Sequence, residues 1–148
     1  MLRPVQKGDV RFLRDMLRHA YHWRMSEDAE RPVYRYVRNW GRPGDAGVIA
    51  IEGAHPYGAA WYRLFTADEP GFGFVDERTP ELTIAVVPSH RGKGAGKELL
   101  DALLDQARAG GYEAVSLSTD REQAGWYERF GFERVGETPH AVTMRKVI

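Results

Sequence analysis

The sequence predicts an α/β (α+β) fold: a mixed central sheet of about six to seven strands with about four helices packed on it. Three observations carry this reading. The apolar run Leu82, Thr83, Ile84, Ala85, Val86 and Val87 has strand chemistry, a long helical pattern follows it, and a second strand pattern, EAVSLS, begins at Glu113. Two strands separated by a long helix are natural parallel partners in a right-handed crossover. Residues 48–52 and 57–66 read as two strands joined by a short turn through Gly53, His55 and Pro56, which is a hairpin signature. Two further strand patterns, at 133–135 and 142–147, close the chain.

Taken in order, residues 2–5 predict a short first strand, after which Gly8 turns the chain and Asp9 can cap a helix. Val10, Leu13, Met16, Leu17, Ala20 and Tyr21 recur at helical spacing, so an amphipathic helix is expected through Trp23. Ser26, Glu27 and Asp28 break it. Pro32 suits the first position of a second short helix over 32–40, which Gly41, Pro43 and Gly44 end. These segments carry Tyr21, Trp23, Tyr34, Tyr36 and Trp40, and an aromatic stripe at helical spacing more often packs a core than lines a substrate pocket. His19 and His22 lie three apart, a spacing compatible with a metal pair, but neither cysteine nor an obvious carboxylate accompanies them, and no metal is expected.

The loop over 67–80 lacks periodicity and holds Asp68, Glu69, Asp76 and Glu77. Such a run is ordinarily a solvated loop; bordering an active site, it would attract a cationic amine. The long helix is expected over 94–109, with Leu99, Leu100, Leu103, Leu104 and Ala107 on one face and Gly110-Gly111 as its stop. A short helix at about 123–130 precedes the closing strands.

Composition narrows the function classes. A chain of 148 residues with an ordinary apolar content fits a single domain spanning 1–148. Its formal net charge is zero, which discourages a nucleic-acid or membrane-surface role and leaves local charge to matter. Without cysteine there are neither disulfides nor thiolate metal sites. No apolar run approaches the roughly 20 residues that span a bilayer, and the opening MLRPVQKGD lacks a signal-peptide core, so a cytoplasmic protein is expected.

Residues 81–100, ELTIAVVPSHRGKGAGKELL, point to an anion site. Pro88 stops the strand, and a basic glycine-rich turn opens a helix. Gly92, Gly94 and Gly96 let the chain turn tightly and present bare N–H groups. The first helical turn adds unpaired N–H groups and the positive end of the helix dipole, and Arg91, Lys93 and Lys97 add full charge. A phosphate is therefore favoured there. A Walker loop would need glycine where Arg91 stands and Ser or Thr where Glu98 stands. The dinucleotide fingerprint would need a third glycine where Lys97 stands. Both are excluded.

Arg91-Gly92-Lys93-Gly94-Ala95-Gly96 instead resembles the R-x-x-G-x-G turn of the GNAT superfamily of coenzyme A-dependent N-acetyltransferases. The preceding Val86-Val87-Pro88 resembles that family's strand ending, and Trp126-Tyr127-Glu128-Arg129-Phe130-Gly131-Phe132 resembles its YE-x-x-GF segment. The order of elements agrees over nearly the whole chain. The resemblance implies a GNAT fold whose two central parallel strands splay apart, with the pantetheine arm of acetyl-coenzyme A entering the gap like an extra strand. By the same resemblance, backbone groups of Val86 and Val87 would pair with that arm, and the N–H groups from Arg91 through Gly92, Lys93, Gly94, Ala95 and Gly96 to Lys97 would hold the pyrophosphate.

The implied reaction is attack by a neutral amine on the thioester carbonyl through a tetrahedral oxyanion, with coenzyme A thiolate leaving. Tyr127 matches the family's tyrosine and is the candidate general acid; beside Trp126 and Phe130 its alternative is simple packing. Glu81 opens the strand where several relatives carry a base or a substrate-binding acid; its alternative is a solvated strand end, and Glu52 and Glu122 are further contenders. Many relatives carry asparagine seven residues before the tyrosine, to help hold the cofactor. Asp120 stands there in this chain, keeping the acceptors and losing the amide donor, and Gln123 replaces the small residue that usually follows. The acceptor expected is a primary amine of a small molecule or peptide, and homodimers are common among relatives. The rival reading is a noncatalytic acyl-coenzyme A-binding or regulatory domain.

Overall fold

In the computed structural model, which describes residues 1–21 and 32–148, seven strands form one mixed sheet. They are β1 (Leu2–Pro4), β2 (Ala46–Glu52), β3 (His55–Arg63), β4 (Glu81–Val86), β5 (Ala114–Thr119), β6 (Glu133–Glu137) and β7 (Val142–Val147), in the spatial order β1-β2-β3-β4-β5-β7-β6. Neighbours run antiparallel except β4 and β5, which are parallel as the crossover predicts.

The described residues contain three α-helices: α1 (Val10–Ala20), α2 (Ala95–Ala109) and α3 (Arg121–Glu128). The helix expected over 32–40 is instead a 3₁₀ segment, Pro32–Tyr36, so the described residues hold one α-helix fewer than the expected four. Its residues, PVYRY, combine proline with a β-branched and two aromatic side chains, which lose rotamer freedom in an α-helix, and the chain leaves the helical region at Asn39, where φ is 55°. The part of the first predicted helix at His22 and Trp23, and the breaker Ser26-Glu27-Asp28, lie outside the described residues. Asp9 precedes α1 without capping it through its side chain. Its carboxylate accepts instead from the Gln6 N–H and pairs with Arg3 at 2.7 Å.

Side chains alternate across the sheet, so two cores form. On one face Ala60, Tyr62 and Leu82 meet the apolar face of α2, where Leu99, Leu100, Leu103, Leu104 and Ala107 recur at the spacing the sequence predicts. On the other, Ala59, Trp61 and Ala85 meet Leu13, Met16 and Leu17 of α1 together with Tyr21 and Tyr36. Arg63 continues that second face. It is fully buried, pairs with Asp45 at 2.6 Å, and donates to the carbonyls of Arg35 and Arg38. A buried guanidinium needs such full pairing to offset its lost hydration.

Candidate functional site

The sheet opens at its centre. Strands β4 and β5 pair only at Glu81↔Ser116, whereas β3 and β4 stay in register from Gly58↔Val86 to Arg63↔Glu81. Beyond Glu81 the β5 side of β4 therefore lacks a neighbouring strand. The Val87 N–H donates to the Tyr57 carbonyl on β3 at 2.9 Å. Successive peptide groups of a strand point to opposite sides, so those of Val86 and Ile84 face the gap. Of the two residues expected to meet the cofactor arm through their backbone, Val86 has the right orientation, and Val87 has its N–H committed to β3.

A cleft of about 430 Å³ follows the opening. Val86, Arg91, Gly92, Gly94, Ala95, Gly96, Lys97 and Tyr127 all line it, while Val87, Lys93, Glu81 and Asp120 do not. Gly92 and Gly94 have φ of 79° and 85°, left-handed values at which a side chain is strained, and a Cβ on either would project into open space. Gly96 differs. It already belongs to α2, and a Cβ there would touch Trp126 at 3.4 Å. The tight-turn argument thus applies to Gly92 and Gly94, and at Gly96 a Cβ would make an ordinary van der Waals contact. Helix α2 begins at Ala95 after Gly94 with no side-chain cap, so its first N–H groups and dipole end are turned toward the loop.

The cations behave differently from one another. Arg91 donates from Nε to the Val86 carbonyl at 2.9 Å and approaches His19 Nδ1 at 3.5 Å, which ties the loop to the strand end and to α1. Lys97 pairs with Asp101 one turn along α2 at 2.8 Å.

Tyr127 is brought to the cleft by α3 and is buried between Trp126 and Phe132, with ring centroids 4.9 and 5.6 Å away. Burial, and next the negative charge of Asp120, push its phenol above the usual tyrosine range, so it stays protonated. Asp120 itself is the N-cap of α3, its carboxylate accepting from the Gln123 N–H at 2.9 Å. That bond explains why α3 starts earlier than predicted.

Glu81 is not a solvated strand end. It is 1% exposed and accepts a hydrogen bond from the Tyr36 hydroxyl on the α1 side of the sheet. Glu122 lines the cleft, and Glu52 lies beside His90 at 3.4 Å. Two cleft residues had no signal in the sequence beyond their place on a strand. Thr83 contacts Tyr21, and Ser118 carries a buried hydroxyl without a hydrogen-bond partner among the described residues.

The acidic loop turns its charges to other purposes. Asp76 accepts from the Arg78 N–H and Thr79 hydroxyl, Glu77 from the Ala67 N–H, and Glu69 pairs with Arg38. Asp68 and Glu69 line a separate cavity of about 650 Å³ beside Arg38 and Arg42. Of the aromatics, Tyr36 is core, Tyr21 is buried and lines the cleft, Tyr34 is exposed beneath Arg14, and Trp40 lies against Arg63; Trp23 is outside the described residues. His22 is as well, and among the described residues no group of three or more His, Asp or Glu is placed to hold a metal. Among the same residues no helix is long and apolar enough to cross a membrane.

Residues 11–132 match the family model described as acetyltransferase (GNAT) family. The N-alpha-acetyltransferase RimI of Mycobacterium tuberculosis is 46% identical over 65 residues, 40% of each protein, and the chain spans less than half the length of the curated relatives it matches. Among solved structures, the ribosomal-protein-alanine N-acetyltransferase of Brucella melitensis superposes with a TM-score of 0.70 at 20% identity, covering 100% of this chain and 99% of the other. The PaiA N-acetyltransferase of Thermoplasma acidophilum in complex with coenzyme A gives 0.71 at 15% identity, covering 100% and 98%. At these identities the two structures speak to the fold.

Proposed function

This chain belongs to the acetyltransferase (GNAT) family, and on that premise we propose that it moves the acetyl group of acetyl-coenzyme A to a primary amine of a small molecule or peptide by direct attack in a ternary complex. One observation carries the proposal. A glycine turn leading into a helix N-terminus, a strand edge without a neighbour and a protonated phenol converge on one cleft.

The lining of the cleft suits acetyl-coenzyme A. The turn at Gly92 and Gly94 leaves open space where side chains would stand, as a pyrophosphate needs. Ser118 offers a buried hydroxyl otherwise without a partner among the described residues, a ready contact for an amide-rich arm. When bound, acetyl-coenzyme A supplies an activated thioester acetyl group. The N–H groups from Gly92 to Lys97 would hold its phosphates, the Arg91 N–H already donating to the Pro88 carbonyl at 3.3 Å, and Val86 would orient its arm. The Val86 N–H would also polarise the carbonyl. Tyr127, which holds its proton at neutral pH, would donate it to the leaving sulfur. Asp120 acts here by capping α3 and so fixing where Tyr127 stands. The name of the Mycobacterium tuberculosis relative, an N-alpha-acetyltransferase, favours an α-amine among the candidate acceptors.

The test is release of free thiol from acetyl-coenzyme A across polyamines, amino acids, aminoglycosides and peptide N-termini. Turnover with at least one amine is expected. Binding of acetyl-coenzyme A without thiol release on any amine would assign the chain to the noncatalytic acyl-coenzyme A-binding class instead.

A further inference from the structure

The cavity beside Arg38 and Arg42, about 650 Å³ in volume, is separate from the cleft. Among the described residues none lines both openings. Phe65 forms part of the cavity wall, and behind it the rings of Tyr36 and Tyr21 follow in succession, with centroid spacings of 5.3 and 4.9 Å. Tyr21 then lines the cleft. A ligand in one opening is therefore walled off from the other.

The cavity gathers guanidinium groups that differ in how fully they are used. A guanidinium has five N–H donors and no acceptor. Arg63 donates from two nitrogens to Asp45 and from the third to the carbonyls of Arg35 and Arg38, so its charge and its donors are matched. Among the described residues, the Arg42 guanidinium makes a single hydrogen bond, to the Leu64 carbonyl at 2.9 Å, and that of Arg38 a single ion pair, with Glu69 at 3.5 Å. Both side chains of that pair are more than half exposed, so it contributes little and yields to a stronger anion. Arg42 is also held in place: its guanidinium lies over the Phe65 ring at 5.8 Å, and its backbone N–H donates to Asp45 at 2.9 Å. Asn39, at φ 55°, turns the chain between the two arginines, and both reach the same cavity. Burial, and next the charge of Arg63, pull the Arg42 guanidinium below the usual arginine range, a cost that a bound anion relieves.

We propose that this cavity is a second anion site, apart from the cofactor cleft, that takes a phosphate monoester on a small ring or apolar body. Arg38 and Arg42 hold the phosphate, and Glu69 turns out to solvent as it enters. Two guanidinium charges then meet a group that carries nearly two negative charges at neutral pH, and their planar forks suit its oxygens. The volume exceeds what a phosphate alone fills, and Phe65 and Tyr34 offer the attached body aromatic walls. Glu69 is the internal competitor of the site. The site stands whether or not the chain transfers acetyl groups.

The probe is phenyl phosphate, titrated by calorimetry at about 0.15 M salt into the unaltered protein, Arg38→Gln, Arg42→Gln, Glu69→Gln and Gly94→Val. The unaltered protein is expected to bind it saturably, and more tightly than inorganic phosphate, which lacks the ring. Arg38→Gln and Arg42→Gln should each weaken binding by at least about tenfold. Glu69→Gln should tighten it, because the competitor has lost its charge. Gly94→Val alters the other turn that attracts phosphate and should keep the affinity. Affinity lost in Gly94→Val and kept in both arginine variants would put the phosphate at the glycine turn and overturn the cavity site. No saturable binding, or equal affinity in all five proteins, overturns it as well. If Arg42→Gln does not fold, Arg38→Gln and Glu69→Gln carry the test with opposite signs, since their side chains meet in an exposed pair.

Discussion

The N–H of Val87 donates to the carbonyl of Tyr57, and this single bond sets the phase of β4. With Val87 turned to β3, Val86 presents its peptide group to the gap beside β5. The side-chain phase follows as well: Leu82, Ile84 and Val86 face α2, while Glu81, Thr83 and Ala85 face α1. One strand thus serves the cofactor cleft through its backbone and the Tyr21–Tyr36 pair through its side chains.

Gly94→Val tests the loop. At φ of 85° a valine is strained by about 1–2 kcal/mol, but its side chain meets open space, so the protein should fold with a modestly lower Tm. The dissociation constant for acetyl-coenzyme A, measured by calorimetry, should rise by about tenfold or more, roughly 1.4 kcal/mol. Unchanged affinity in a folded variant would move the pyrophosphate elsewhere. Gly96→Ala is the contrast, since its Cβ would only touch Trp126.

Tyr127→Phe should keep the fold, because the ring contacts to Trp126 and Phe132 remain. Loss of a general acid predicts a fall in kcat of about 10²-fold with little change in KM. The sign of the pH effect follows from the raised phenol: a general acid works while protonated, so Tyr127 should cause no loss of rate until pH exceeds the ordinary tyrosine value of 10.0. Undiminished turnover in the phenylalanine variant would remove Tyr127 from the chemistry.

Asp120 separates capping from charge. Asp120→Ala deletes the acceptor for the Gln123 N–H and should cost about 1 kcal/mol, a drop of roughly 3 °C in Tm. Asp120→Asn keeps an acceptor oxygen and should stay near the unaltered Tm, while removing one of the two influences that raise the Tyr127 phenol. Equal thermal stability of all three proteins, followed by circular dichroism, would show that the cap does not matter.

Local patterns carried most of the fold in the sequence. The face of α2, the parallel crossover and the closing strands obey periodicities that neighbours in sequence enforce, and the glycine turn announced itself through residue types that few other structures need. Glu81 was different. Its burial comes from Tyr36, 45 positions away in sequence, and such a contact leaves no local trace. The segment Pro32–Tyr36 misled for a related reason: a proline start is shared by α and 3₁₀ turns, and the side chains after the proline decide between them. Ser118 sat in an apolar strand pattern, and only the opening of the sheet turns its hydroxyl into part of a site.

The buried phenols also predict how stability changes in alkali. Burial raises Tyr21, Tyr36 and Tyr127 above their unfolded value of 10.0. Below pH 10.0 each is neutral in both states, and its contribution to stability is fully present. Above it the unfolded chain releases these protons while the native state holds them, so stability falls through the raised native range. Each phenol steepens the loss by up to about 1.4 kcal/mol per pH unit. Urea midpoints should therefore hold level to about pH 10 and then drop, with a shallower drop in Tyr21→Phe. Identical alkaline slopes for Tyr21→Phe and the unaltered protein would mean that Tyr21 ionises as readily in the native state as in the unfolded chain.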